Sequence, residues 1–282
     1  MKVGTDGVVL GAWADVKSTS QRVNGSTSQR VNESTDGAAS GEWSLLQLSR
    51  VAIEVEHSST SILDVGTGTG LIALMAAQRN PEAHVVALDI DADAVQQAKE
   101  NVNASPFAER ITVVQGDFRT FSSEEGEGAR FDTILCNPPY FERALRCPDD
   151  ARTLARHNDT LSLEELAQHA ATMLLEGGTL AVILPFERRG DMIAECATFG
   201  LSLIRETHVR TLPGKAPKRV LLEFGKGVGM GEMGRMGEMG RMREMGEMGG
   251  LKGGADTLTI ESAAGVPTPE FRALLKDFYL KF

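Results

Sequence analysis

The sequence predicts an α/β fold: a single domain built on a doubly wound, mostly parallel sheet of seven strands. Short apolar runs of strand length alternate with amphipathic stretches of helix length between residues 61 and 224. That alternation builds parallel strands joined by right-handed crossovers. A glycine-rich turn closes the first strand, and an acid stands near the end of the second and of the third.

The elements follow in order. SILDVG (61–66) is a buried strand, and residues 71–79 are a helix. HVVALDI (84–90) is a strand, followed by a helix over 91–103 with apolar or Ala positions at 92, 94, 95, 98 and 102. RITVVQGD (110–117) and FDTILCN (131–137) are strands. A helix over 163–175 leads to strand TLAVILP (179–185), and a helix over 188–199 leads to LSLIRETHV (201–209) and KRVLLEF (218–224). DTLTI (256–260) adds an edge strand, and 269–278 a terminal helix.

Two segments interrupt the pattern. Residues 18–35 repeat with a period of eight and are too polar to bury a core. Residues 229–249 place Met at every third position from Met230 to Met248, a spacing that drifts around a helix, and their glycines disfavour helix. The chain is therefore parsed into an N-terminal motif segment (1–16), a low-complexity insertion (17–42), the core (43–225), a flexible Met/Gly-rich loop (226–254) and a closing strand and helix of the same domain (255–282).

At 41% hydrophobic, the 282 residues can bury a substantial core. No apolar run approaches the roughly 20 residues of a membrane span, and no leader pattern opens the chain. Three unevenly spaced cysteines suit reduced thiols in a cytoplasmic protein and offer no zinc spacing, so no metal is expected. A net charge of −10 argues mildly against a nucleic-acid partner. Charge is local, however. Arg205, Arg210, Lys215, Lys218 and Arg219 face one acid, Glu206, and Arg143, Arg146, Arg152 and Arg156 form a second basic stretch.

LDVGTGTG (63–70) ends a strand and opens a helix, where glycines let a ligand approach backbone at a helix N-terminus. The spacing is G-x-G-x-G, at Gly66, Gly68 and Gly70, with Asp64 inside the stretch. Dinucleotide folds instead carry G-x-G-x-x-G, and Leu71 stands where their third glycine would be. Asp89 closes the next strand, where a carboxylate accepts both hydroxyls of a ribose. Asp117 and Phe118 close the third, placed to read and cover an adenine ring.

This order of glycines, ribose acceptor and adenine site over about residues 60–225 resembles the class I S-adenosylmethionine-dependent methyltransferases, which have a Rossmann-like fold. The resemblance implies S-adenosylmethionine as cofactor. Asn137-Pro138-Pro139-Tyr140 follows the fourth strand, and its two prolines stop that strand and stiffen the turn. A conjugated amino nitrogen is a poor nucleophile. Two acceptors, the Asn137 side-chain oxygen and the Pro138 carbonyl, would position it and stabilise its developing charge. Tyr140, with Phe141 and Pro139, would hold the target base, stacking being worth about 1–3 kcal/mol per base. NPPY resembles the amino-methylating group, whose members act on adenine N6, on guanine N2 of ribosomal RNA, or on a glutamine of release factors.

MKVGTDGVVLGAWADV opens the chain. Lys2–Gly7 and Leu10–Trp13 are similar to the motif of the adenine-N6 methyltransferases that act on the valine tRNA. That resemblance implies methylation of adenosine 37, with Thr5 and Asp6 near the methionine end of the cofactor. Arg143, Arg146, Lys215, Lys218 and Arg219 would then contact tRNA phosphates. Family members carry a further segment ahead of this motif, and here the chain begins at it. The alternatives are a release-factor glutamine methylase, a ribosomal RNA guanine-N2 methyltransferase, and a cofactor-binding interaction protein without turnover. A monomer is expected.

Overall fold

The computed structural model describes residues 4–17, 19, 60–121, 130–138, 161–227 and 255–279. Its elements are α1 (Thr5–Trp13), β1 (Thr60–Val65), α2 (Leu71–Arg79), β2 (Ala83–Asp89), α3 (Ala92–Asn103), β3 (Ile111–Gln115) and β4 (Phe131–Cys136). After these come α4 (Leu163–Met173), β5 (Leu174–Pro185), α5 (Arg189–Thr198), β6 (Leu201–Arg210), β7 (Arg219–Lys226), β8 (Asp256–Thr259), β9 (Glu261–Ala263), β10 (Val266–Pro267) and α6 (Pro269–Leu275). The low-complexity segments, apart from their ends, and the turn residues Pro139, Tyr140, Phe141, Arg143 and Arg146 lie outside the described residues.

The main sheet runs β3-β2-β1-β4-β5-β7-β6-β8. All pairs are parallel except those of β7, which runs antiparallel to β5 and β6. The mostly parallel, Rossmann-like arrangement is the expected one, but the described sheet has eight strands rather than seven. The eighth is the DTLTI segment. It pairs with β6, its Leu258 is buried, and Thr259 Oγ1 accepts a hydrogen bond from Arg210 Nε at 2.8 Å.

The apolar strands are covered on both faces, as parallel sheets require. Alternation sends Ile62, Leu135, Ile183 and Leu221 to one face, against α1, α2 and α6. It sends Leu63, Ile134, Val182 and Leu222 to the other, against α4 and α5. Helix ends are secured by their sequence. Asp91 accepts from the Asp93 and Ala94 amides, and Ser162 with Glu165 closes a capping box.

Helix α1 has no counterpart among the elements read from the sequence. Gly7–Trp13 is buried throughout, as a helix apolar on all sides must be. Gly7 and Gly11, four residues apart, face α2. A Cβ on Gly11 would stand 2.8 Å from Met75 Sδ and 3.2 Å from Met75 Cβ. At its far end Arg79 Nη1 donates to the carbonyls of Gly11 (3.0 Å) and Ala14 (2.6 Å). Trp13 Nε1 donates to Thr207 Oγ1 at 3.0 Å, and Arg205 lies over the indole at 3.7 Å while pairing with buried Glu223 at 2.9 Å.

Candidate active site

Strand order reverses between β1 and β4, which opens a crevice beyond their C-terminal ends. Register fixes what stands at its rim. Val65 pairs with Cys136, so Gly66 and Asn137 are the first residues past two adjacent strand ends. Val65 also pairs with Leu88, and Asp89 with Gln115, which brings Asp89 and Asp117 to the same edge.

The glycine loop folds around two carboxylates. Gly66, Gly68 and Gly70 all have positive φ (70°, 58° and 79°), a region costly for residues with a Cβ. A Cβ on Gly66 would meet nothing within 4 Å, so its backbone borders open space, whereas one on Gly70 would press on Ala98 at 3.4 Å. Gly68 N–H donates to Asp89 Oδ2 (2.8 Å) and Asp91 N–H to Asp89 Oδ1 (3.0 Å). Each oxygen keeps a further acceptor direction.

Asp64 is fully buried under the loop. Its Oδ2 accepts from Thr67 Oγ1 (2.6 Å) and from the Ala73 amide (3.1 Å), which secures the first turn of α2. Its Oδ1 is buried with no partner. Burial pushes its carboxyl up to about 7, against the pull of the Thr67 and Ala73 bonds. Asp117 differs. Arg119 grips it through Nε and Nη2 (2.9 and 2.5 Å to Oδ2) and holds its carboxyl below the usual range.

Phe118 is buried in the core, edge-on to His169 at 5.9 Å, rather than lining the crevice. The apolar surface at the rim is Ile90, 54% exposed beside Asp89, which the sequence reading did not single out. Thr67 and Asn101, whose Nδ2 holds the Thr69 carbonyl at 2.8 Å, were also missed. Exposed Ile90 is legible as an apolar residue next to Asp89, but nothing in the sequence marks Asn101.

Asn137 follows β4 on the face that carries Leu135, the face of α1. A Cβ on Gly7 would lie 3.7 Å from Asn137 Nδ2, so the N-terminal motif forms a wall against it. Pro138 is buried behind. Thr5, exposed, and Asp6, half-buried, open α1 at this rim. Arg219 Nε donates to Asp6 Oδ2 at 2.7 Å. Lys215 and Lys218 are exposed on the turn between β6 and β7, at the same sheet edge. Cys136 and Cys196 are free and buried, and burial pushes both thiols up, which leaves them unreactive.

The residues present fit S-adenosylmethionine. An open glycine backbone at Gly66 and the Asp89 carboxylate, with an acceptor direction left on each oxygen, stand at one sheet edge, and the unpartnered Asp64 oxygen is buried beneath the loop. Among the described residues no group of His, Cys, Asp and Glu could hold a metal, and no helix is long and apolar enough to cross a membrane.

Fold and crevice together define a methyltransferase, and the profile of the methyltransferase small domain family matches residues 44–188. A structure from Agrobacterium tumefaciens described as a predicted O-methyltransferase shares the fold, with a TM-score of 0.53 at 18% identity over 81% of this chain and 94% of that one. A tRNA1(Val) (adenine(37)-N6)-methyltransferase of Phocaeicola vulgatus is 39% identical over 280 residues, covering 99% of this chain and 91% of the relative. The protein of that name from Parabacteroides distasonis is 38% identical over 281 residues, 100% of this chain and 92% of the relative. The chain belongs to the family of tRNA1(Val) (adenine(37)-N6)-methyltransferases.

Proposed function

We propose that this chain transfers a methyl group from S-adenosylmethionine to the exocyclic N6 of an adenosine in tRNA, adenosine 37 of a valine tRNA. The observation that carries the reading is Asn137. It stands one residue past the paired ends of β1 and β4, level with the open backbone of Gly66 and walled by α1.

When bound, the cofactor supplies a methyl group made electrophilic by its sulfonium. The protein's work is positioning and electrostatics. Asn137 Oδ1 and the Pro138 carbonyl accept the two N–H groups of the adenine amine, which turns its lone pair toward the methyl and stabilises the charge that develops. The proton leaves after transfer, so no strong base is required. Asp89 holds the ribose of the cofactor, Ile90 offers its adenine an apolar face, and Asp64, buried beneath the glycine loop, supplies a negative field for its cationic methionine end. Asp117 reads the adenine edge.

The target base reaches this depth only if it swings out of the anticodon-loop stack. Tyr140, with Pro139 and Phe141, receives it. Lys215 and Lys218 hold phosphates beside the crevice, with Arg143 and Arg146, and that part of the affinity falls with added salt. The chemistry asks for no metal, and a cytoplasmic monomer suffices for it.

The test is transfer of labelled methyl to unmodified bulk tRNA, followed by nucleoside digestion. N6-methyladenosine in a valine tRNA is the expected product. No label in tRNA, with label in a release factor or in ribosomal RNA guanine when each is offered in a parallel assay, would overturn the reading.

A further inference from the structure

We propose that Arg219 is a positioning residue for methyl transfer, acting through Asp6 to hold the first turn of α1 against Asn137. The inference rests on the adenine-N6 reading of the site and replaces a phosphate contact as the role of Arg219.

Arg219 opens β7 and is flanked on both sides by sheet, opposite Pro185 of β5 and Val209 of β6. Its backbone is therefore among the most firmly held at this edge. Its guanidinium is committed to protein acceptors. Nε donates to Asp6 Oδ2 at 2.7 Å and Nη1 to the Lys218 carbonyl at 3.1 Å. Asp6 lies in the first turn of α1, where Gly4 provides no side-chain cap. An uncapped first turn frays unless something else anchors it. The far end of α1 is anchored by Arg79, Trp13 and Arg205, and Asp6 is the ion pair at the near end.

The next residue, Gly7, packs beside the Asn137 amide, close enough that a Cβ on it would lie 3.7 Å from Asn137 Nδ2. The chain of contact runs from Arg219 to Asp6, across one peptide to Gly7, and so to Asn137. The last step matters because the two ends of a carboxamide are opposites, an acceptor and a donor. Rotation of that amide by half a turn presents N–H to an amino group that needs an oxygen. The first turn of α1 packs beside the Nδ2 end and holds the amide in position. A frayed turn releases it, and the released geometry reacts slowly rather than binding weakly.

The experiment compares Asp6→Asn, Arg219→Met, the double variant and Arg219→Lys with the unaltered chain. Saturating S-adenosylmethionine is used, with kcat and KM for tRNA and amide hydrogen exchange over residues 5–13 as readouts. Both single variants are expected to lose kcat by about tenfold to a hundredfold, the cost of a small misplacement, with KM for tRNA little changed. The double variant is expected to be no slower than either, and exchange of the α1 amides that hydrogen-bond back to its first turn to rise in all three. Arg219→Lys, which keeps a donor for Asp6, recovers most of kcat. A rise in KM for tRNA with kcat intact in Arg219→Met, together with a normal Asp6→Asn, would overturn the inference in favour of a phosphate contact. Multiplying losses, or unchanged exchange, would overturn it too. An unaltered chain that methylates no tRNA would refute the adenine reading, and the exchange comparison would still decide the role of Arg219.

Discussion

Asp64 shows how one residue ties folding to ligand. Its carboxyl titrates near its ordinary value of 3.8 in the unfolded chain but near about 7 in the folded one, because burial disfavours the charge. The folded state therefore binds the proton more tightly. Its contribution is fully present below about pH 4 and is lost as pH rises through about 7. Asp117, Glu165 and Glu206 are shifted the other way and act in the opposite sense, so the difference between two proteins isolates the effect. Thermal denaturation in small pH steps, without cofactor, should show the unaltered chain losing stability between pH 4 and 7 relative to Asp64→Asn. Under the proposed function, added S-adenosylmethionine should shrink that gap, since a cationic methionine end above the loop favours the ionised form. Parallel pH curves for the two proteins would show that Asp64 is not the buried acid described above.

Helix α1 is where element-scale reasoning decides. Its sequence carries glycines at 7 and 11, and glycine in a helix interior costs about 1 kcal/mol relative to Ala. Propensity therefore argues against a helix there, and the segment is legible only as a motif. Gly11 is there because Met75 of α2 passes too close for a side chain, a tertiary reason that one sequence does not display. Gly11→Ala tests this. A better helix former is expected to destabilise the protein by about 1–3 kcal/mol, because its Cβ collides with Met75, and urea denaturation measures it. A stabilised variant would mean that α1 does not pack as described. The strands, by contrast, are legible because each is an apolar run closed by a turn residue, and the expected bounds of β1, β2, β4 and β6 lie within one residue of the observed ones. The extra edge strand β8 was legible as a segment but not as part of the sheet count. Pairing beside β6 depends on side chains such as Arg210 and Thr259, far apart in the chain.

At the scale of the whole molecule, the site is a consequence of topology. Four strand ends, from β1, β2, β3 and β4, bring Gly66, Asp89, Asp117 and Asn137 to one edge, and α1, from far earlier in the chain, closes it. Strand-end residues are readable from sequence because order and register follow from the alternation of strands and helices. The pairing of Asp6 with Arg219 and the burial of Phe118 were not readable, since both depend on how layers pack around the sheet. The central claim is that Asn137, at the focus of this edge, carries the transfer. The most direct test is single-turnover methylation of tRNA by Asn137→Ala, with S-adenosylmethionine binding measured on the same preparation. Unchanged cofactor affinity with a rate lowered by about a hundredfold to a thousandfold is the expected result, the usual loss for one preorganised group at the reacting centre. A near-normal rate would contradict the account.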